Sequence, residues 1–293
     1  MTRQATTQKS EGRSKKRNAV IASLALGAAL GAMVTLAGTA REAYATFPGE
    51  NGRIAFASNR TTGEGVNIPE GDLEIFTRNR SGTDLRQLTE YAAFDIDPEW
   101  SPDGEKIAFQ SDRALFFDVF VMNADGTQQT NVTNNPAFDR APTFSPEGEK
   151  IAFDSNLATG EGVNIPEKDI EIFSINLDGT GLEQLTHNVA RDFQPDFSPD
   201  GGKVSFVSDR DFSPGIYTMN ADGTNKKKRS RGPAMVFATP GFSPDGSKIA
   251  FHTNRDGNFE IYEMRTDGTG QVNLTNNPAA DFTPDWQPLK SQY

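Results

Sequence analysis

The stretch Ser101-Pro102-Asp103-Gly104-Glu105-Lys106-Ile107-Ala108-Phe109 is a turn sequence followed directly by a short apolar strand. The same pattern returns at residues 145–153, 198–206 and 243–251, and a shorter version without the Ser-Pro pair occupies 51–56. A motif that recurs at this interval indicates a repeat architecture, in which each repeat forms one unit of supersecondary structure.

Each repeat contains four short segments that are rich in aromatic and β-branched residues, which is the composition of strands. Asp-Gly pairs, among the strongest hairpin signals, separate the third segment from the fourth. No part of the repeats shows a sustained helical period. A four-stranded antiparallel meander is barely stable alone, so the repeats are expected to pack on one another as the blades of a β-propeller.

The phenylalanines that end the second strands count the blades: Phe56, Phe109, Phe153, Phe206 and Phe251. The first repeat has no first strand of its own if the propeller starts near Asn51. The segment from Asp281 to Trp286 resembles a first strand that no turn follows. We therefore predict an all-β fold, a propeller of five four-stranded antiparallel blades, with the ring closed by the C-terminal strand.

These repeats resemble a known family. Residues 98–109, followed by Ser111-Asp112-Arg113 and by the run from Val119 to Thr127, are similar to the WD-like repeat of TolB-type β-propellers. The resemblance covers residues 51–287 and implies an exported bacterial propeller. TolB carries an α/β domain before six blades, whereas five blades follow the N-terminal segment here. The resemblance therefore implies the fold and the extracytoplasmic setting, and the Tol–Pal role is not carried over.

Residues 1–45 have the layout of a secretory signal peptide. A polar, basic start precedes an uncharged run from Ala19 to Ala40, and Ala43-Tyr44-Ala45 is a small-x-small cleavage pattern. Cleavage is predicted before Thr46, which leaves 46–293 as the propeller. The apolar run is also long enough for an uncleaved membrane anchor. Either alternative places the propeller outside the cytoplasm, as a periplasmic, cell-wall-associated or secreted protein.

Composition excludes several functional classes. The formal net charge is −11, and residues 46–293 alone carry 22 basic and 38 acidic side chains. A chain this acidic repels phosphate backbones, and nucleic-acid binding is therefore not expected. The chain has no cysteine and only His187 and His252, which we interpret as ordinary surface residues.

We predict that the chain is a monomer and that it binds an envelope or extracellular protein partner.

An acidic residue recurs three positions before the first-strand proline, at Asp95, Asp139, Asp192 and Asp281. The fourth repeat has Phe237 instead. Such carboxylates near a central channel suit a hard cation, and Ca²⁺ is the possible ligand. In the alternative interpretation each aspartate caps its own turn or pairs with a neighbouring arginine, the candidates being Arg60, Arg113, Arg210 and Arg255.

Two matching insertions follow the second strands of the first and third repeats, at 63–70 and 160–167. They offer two sets of polar side chains for a cation or a basic partner, or they are duplicates without a shared role: Glu64, Asn67 and Glu70, with Glu161, Asn164 and Glu167. A basic run at 226–231 in the fourth repeat is a further candidate docking patch, or an exposed solvated segment.

The sequence favours a binding or scaffold module over an enzyme. Neither histidine has a nucleophile signature around it, so Ser-His-Asp chemistry has little support. The rival is a carbohydrate-active or other hydrolytic propeller that uses the channel aspartates. A glycosidase needs one acid and one base in different environments, whereas these aspartates follow the repeat. The predicted function is a non-catalytic, protein-binding propeller at the cell envelope.

Overall fold

The computed structural model describes residues 42–43, 53–60, 72–79, 82–157, 169–230, 239–276, 278, 280–282, 284 and 286. Every regular element among these residues is a β-strand, which confirms the predicted all-β class. The strands form five antiparallel sheets of four strands each, and in every sheet the strands lie in sequence order. Together they form the predicted five-bladed β-propeller.

The first three blades contain strands β1 to β12 as follows: β1 Glu42–Ala43, β2 Arg53–Ser58, β3 Glu74–Asn79, β4 Arg86–Gln87; β5 Asp95–Trp100, β6 Lys106–Ser111, β7 Asp118–Asn123, β8 Thr130–Asn131; β9 Asp139–Phe144, β10 Lys150–Ser155, β11 Glu171–Asn176, β12 Glu183–Gln184.

The last two blades are β13 Asp192–Phe197, β14 Lys203–Ser208, β15 Gly215–Asn220, β16 Lys227–Lys228; and β17 Gly241–Phe242, β18 Lys248–Thr253, β19 Glu260–Arg265, β20 Val272–Asn273.

The first-strand position of blade one differs from the prediction. β1 pairs antiparallel with β2, with Glu42 opposite Phe56 and Ala43 opposite Ala55. This pairing corrects the expectation that the C-terminal segment supplies that strand. The Nε1 of Trp286 donates instead to the carbonyl of Gly241 in the fifth blade, at 3.0 Å. A segment only ten residues upstream of β2 loses little entropy on pairing, because the loop that it closes is short.

The quoted turn sequence forms the hairpin between the first and second strands. The amide of Gly104 donates to the carbonyl of Ser101 at 2.9 Å, and Gly104 has φ +71°. The hydroxyl of Ser101 donates to Asp103 Oδ1 and accepts from the amide of Lys106. Serine, aspartate and glycine therefore each have a separate task in this turn, which explains why the sequence recurs.

The apolar core lies between neighbouring blades. One buried cluster joins Ala55 and Ile75 of blade one to Trp100, Ile107 and Phe109 of blade two. Similar clusters combine blades two and three, three and four, and four and five. Each of these four clusters of described residues spans two blades, so the blades stabilise one another through their faces.

The Asp-Gly hairpins also contact the preceding blade closely. A Cβ atom added to Gly223 would lie 2.5 Å from the carbonyl oxygen of Leu185, in the fourth-strand region of blade three. Gly126 and Gly268 approach Leu88 and Arg229 in the same way. Glycine is required there both by its positive φ, +77° at Gly223, and by this backbone contact.

Two glycine substitutions separate these requirements. Gly104 has nearly the same φ as Gly223, but an added Cβ would meet nothing within 4 Å. We expect Gly104→Ala to lower the free energy of unfolding by about 1 kcal/mol through backbone strain. Gly223→Ala should cost about 1–3 kcal/mol more, since it also forces blades three and four apart. Urea unfolding measures both, and equal costs would contradict the contact between blades.

Candidate functional site

Asp95, Asp139 and Asp192 lie at three separate blade junctions, and Asp281 follows the fifth blade. The amide of each donates at 2.7 Å to a carbonyl of the preceding blade, on the residue just before its third strand begins. The accepting residues are Leu73, Phe117, Ile170 and Phe259 for Asp95, Asp139, Asp192 and Asp281 respectively. The first three side chains are fully buried. These positions make the aspartates part of the joints between blades.

Two of the aspartates pair with an arginine of their own blade. Asp95 Oδ2 lies 2.6 Å from Arg113 Nη2, and Asp192 Oδ2 lies 2.7 Å from Arg210 Nη2. The guanidinium of Arg113 also stacks on the ring of Phe120, 4.7 Å from its centroid. The arginine pairing considered from the sequence is therefore confirmed for these two residues. Each arginine neutralises a carboxylate that burial would otherwise disfavour.

Asp139 has a different partner because Leu157 stands where the other blades have arginine. Asn135 Nδ2 donates to Asp139 Oδ2 at 2.6 Å. The corresponding Asn188 in the next blade donates to Asp192 at 2.8 Å in addition to the arginine. A side-chain amide four residues upstream of the aspartate is thus a second hydrogen-bond donor that can stabilise the buried carboxylate.

A second acidic residue faces each buried aspartate from the first position of the preceding third strand. These residues are Glu74, Asp118 and Glu171, and all three are buried. Thr89 donates its hydroxyl to Glu74 Oε2 at 2.5 Å. The other oxygens of the aspartates, Oδ1 of Asp95, Asp139 and Asp192, have no hydrogen-bond donor among the described residues.

Burial and a facing carboxylate raise the pKa of three of these carboxyls. Burial, and then the charge of Asp95, raise the pKa of Glu74 to about 7. Burial, and then Asp192, raise the pKa of Glu171 to about 7. Burial and the charge of Asp118 raise the pKa of Asp139 to about 6. Burial and a neighbouring negative charge both favour the protonated form of these three carboxyls.

The four aspartates are not gathered around one point. Within the described ranges, no group of three or more histidine, aspartate or glutamate side chains is placed to hold a metal ion. Three of them instead lie in acidic pairs, with Glu74, Asp118 and Glu171. The second member of each pair was not predicted from the sequence, although a signal was present, because these three residues each begin a third strand.

The matching insertions, with Glu64, Asn67, Glu70, Glu161, Asn164 and Glu167, lie outside the described residues. Most of the basic run at 226–231 lies within the described residues, on and around β16. Lys228 Nζ pairs with Asp211 at 2.8 Å, and Arg229 Nε donates to the hydroxyl of Thr218 at 2.7 Å. Lys227 points outward as an exposed cation.

The two histidines differ in their surroundings. His187 is exposed, as predicted. The interpretation of His252 as a surface residue is wrong, because its ring is buried between Phe259 and Phe282, with centroid distances of 5.8 and 5.6 Å. His252 lies in β18 next to Phe251, at a buried position of that strand.

The two ends of the blades present different surfaces. We call the end with the connections after the second and fourth strands the loop face, and the opposite end the hairpin face. On the loop face Leu115 is 77% exposed and Phe212 is fully exposed. Both have positive φ, +95° and +66°, where the fifth blade has Gly257 at +109°. These residues were not predicted from the sequence, although their alignment with Gly257 was a signal for them.

The described strands form a five-bladed β-propeller, and its repeats resemble those of TolB-type propellers. A curated "Protein TolB homolog" of Chlorobium luteolum is 35% identical over 167 residues, which is 57% of this chain and 34% of that protein. The chain thus matches about a third of the length of that relative. No family model matches the chain.

Solved structures show the same fold. A TolB-named protein of Agrobacterium tumefaciens superposes with a TM-score of 0.64 at 18% identity, covering 79% of each chain. TolB of Acinetobacter baumannii superposes with a TM-score of 0.62 at 21% identity, covering 76% of this chain and 53% of that one. An oligogalacturonate lyase of Vibrio parahaemolyticus superposes with a TM-score of 0.58 at 14% identity, covering 82% of this chain and 68% of that one. At these identities the likeness concerns the fold alone.

In the part of the chain that the structure describes, no helix has the length and hydropathy needed to cross a membrane.

Proposed function

We propose that this chain is an extracytoplasmic, non-catalytic propeller that binds a protein partner through its loop face. The observation that carries the proposal is the pair of exposed apolar side chains, Leu115 and Phe212, at equivalent loop positions in blades two and four. Large apolar side chains in a left-handed conformation cost about 1–2 kcal/mol each in backbone strain. A gain outside folding, such as burial in an interface, accounts for keeping them.

Other features support the same face. Val189, in the connection that follows β12, is 80% exposed and adds a third apolar side chain to it. The insertions at 63–70 and 160–167 follow second strands, so both begin from this end of their blades. Loops held by a rigid scaffold are the usual place for recognition. Apolar side chains surrounded by polar residues are typical of protein interfaces.

The buried acidic pairs support a structural role rather than a catalytic one. Asp95, Asp139 and Asp192 have no exposed surface, so a polysaccharide has no access to them. Their arrangement repeats from blade to blade, whereas an acid and base pair for hydrolysis has two unlike members at one place. The hydrolytic alternative therefore gains no support from the geometry.

Capture from envelope extracts tests the interface. We expect the exported chain to retain a partner that the double variant Leu115→Asp, Phe212→Asp loses, because two buried charges would disrupt an apolar contact. Leu182→Asp is the matched control, since Leu182 is 40% exposed on the hairpin face. Loss of the partner in both variants, or in neither, would contradict the proposal.

We also propose that residues 1–45 form an export signal that is removed before Thr46. This cleavage would also remove β1, which lies at Glu42–Ala43, and would free the edge of β2. Intact-mass measurement of the exported protein tests the boundary, with a chain that begins at Thr46 as the expected result. A mature chain that begins upstream of Glu42 would retain β1 and overturn this boundary.

A further inference from the structure

The fourth strand of blade four has lysines where the other blades have neutral side chains. Two places show this difference, the third and the fifth residue after the glycine of the hairpin between strands three and four. The residues at the third place, from blade one to blade five, are Leu85, Gln129, Leu182, Lys226 and Gln271. Those at the fifth place are Gln87, Asn131, Gln184, Lys228 and Asn273. Neutral residues suffice for this strand in four blades, so the fold itself does not require the lysines.

The next residue, Arg229, occupies a place where blades one to three bury an aliphatic side chain. The aliphatic residues there are Leu88, Val132 and Leu185. The backbone of Arg229 follows the same course, because its amide donates to the carbonyl of Ile216 in the third strand at 2.8 Å. Its Nε donates to the hydroxyl of Thr218 at 2.7 Å, and the residue is partly exposed. A cation in place of a buried aliphatic side chain costs stability, which a role outside folding would explain.

Lys226 places a second positive charge beside Arg210. In blade two the glutamine at this place accepts a hydrogen bond from the arginine, since Arg113 Nη1 donates to Gln129 Oε1 at 2.7 Å. A lysine ammonium cannot accept such a bond. Burial, and then the charge of Arg210, lower the pKa of Lys226. Lys226 is only partly buried and the side chain of Arg210 is 24% exposed, so an anion from solvent can approach this pair of cations.

The basic strand adjoins Phe212, which is fully exposed on the loop face. Asp211, the residue before Phe212, accepts a hydrogen bond from Lys228 Nζ at 2.8 Å. Lys227 and Lys228 are both exposed. Blade four therefore presents an exposed aromatic ring next to four consecutive basic residues, 226–229, which we call the basic edge.

We propose that the basic edge binds a short acidic segment of a protein partner, and that an apolar side chain of the same segment contacts Phe212. This inference rests on the proposed protein-binding function and adds the charge of the partner to it. Residues 46–293 carry 22 basic and 38 acidic side chains, so a long polyanion or an anionic membrane that extends beyond the basic edge is repelled. A short acidic segment meets only the complementary charge. Inorganic phosphate has no apolar group for Phe212.

Nuclear magnetic resonance of the full exported chain tests the site through the backbone amide signals of Lys227 and Lys228. The probes are the capped peptide acetyl-Glu-Asp-Leu-Glu-Asp-amide and its neutral counterpart acetyl-Gln-Asn-Leu-Gln-Asn-amide. We expect the signals to shift and saturate with the acidic peptide only, and its affinity to fall as added salt screens the charges. Equal shifts with both peptides, or no shift with either, would overturn the proposal.

Blade two supplies the side chains for the test variant. Lys226→Gln combined with Lys228→Asn should weaken binding of the acidic peptide about tenfold or more without lowering the melting temperature. Lys106→Gln combined with Lys150→Gln removes the same charge from the hairpin face and should leave binding unchanged. Equal binding losses in the two double variants would overturn the proposal. So would a test variant that melts lower but binds as the wild type does, because the lysines would then serve the fold.

Inorganic phosphate serves as the competing ligand. If phosphate binds the basic edge more tightly than the acidic peptide does, the edge prefers a small anion and the assignment to a protein segment is overturned. The titration needs no envelope partner. Its failure would leave the loop-face proposal standing, because capture from extracts tests Leu115 and Phe212 separately. Failed capture together with a bound peptide would remove the loop face and leave the basic edge as a site for acidic segments.

Discussion

Replacing Arg113 with leucine is expected to lower the free energy of unfolding by about 3–5 kcal/mol, because it leaves Asp95 and Glu74 buried together without a cation. Arg113 is largely buried and pairs with a fully buried carboxylate at 2.6 Å. Urea unfolding at pH 7 measures the loss. Arg86→Leu is the control, because its ion pair with Asp84 is exposed and is worth about 0–1 kcal/mol.

The junction between blades two and three indicates a second substitution that should recover part of the lost stability. There Leu157 already stands in the arginine position, and Asn135 holds Asp139. Tyr91 occupies the position of Asn135 in the preceding repeat and is half exposed. Adding Tyr91→Asn to Arg113→Leu should therefore recover about 1–2 kcal/mol, the value of a hydrogen bond to a charged group. Strict additivity of the two substitutions would contradict the equivalence of the two arrangements.

The second large effect is a maximum of stability at mildly acidic pH. Glu74 and Glu171 have pKa values raised from 4.5 to about 7, and Asp139 from 3.8 to about 6. A folded state with raised carboxyl pKa values binds more protons than the unfolded state, so stability is greatest near the unfolded pKa and falls as pH rises to about 7. After a discount for solvent screening, each glutamate is expected to contribute about 1–2 kcal/mol to this fall.

The turn aspartates act in the opposite direction at low pH. Hydrogen bonds from Ser243 and Ser247 lower the pKa of Asp245 to about 2. Stability from that group is present above its unfolded pKa of 3.8 and is lost as pH falls toward 2. The melting temperature should therefore be highest near pH 5 and decline on both sides.

Glutamine variants identify the groups responsible. Glu74→Gln and Glu171→Gln mimic the protonated acids and should flatten the decline between pH 5 and pH 8, while the decline below pH 4 remains. Asp245→Asn should reduce the acid limb alone. A melting temperature that rises steadily from pH 5 to pH 8 in the wild type would contradict the raised carboxyl pKa values at the blade junctions.

Much of the fold could be predicted from the sequence because its signals are local. Turn chemistry at Ser101–Gly104 and at the Asp-Gly pairs determines which strands form hairpins, and these signals recur in the second to fifth repeats. The first strand of blade one was misassigned for the same reason. Glu42–Ala43 lies next to no such turn sequence, whereas Asp281–Trp286 matches the first-strand pattern closely.

The candidate site was less accessible from sequence because it depends on contacts between repeats. The aspartates were found by their register, but their burial against Glu74, Asp118 and Glu171 follows from the packing of one blade on the next. Leu115 and Phe212 are ordinary core residue types, and the glycine aligned with them in the fifth blade was the one sequence signal of their exposed loop position.

Site-specific photo-crosslinking in living cells tests the central claim most directly. A photoreactive amino acid would replace Leu115, Phe212 or, as the control, Leu182 of the full-length exported chain. We expect discrete crosslinked adducts of the same partner from positions 115 and 212, and none from position 182. Adducts from position 182 alone, or none from either loop-face position in a chain that is exported and folded, would contradict a protein interface on the loop face.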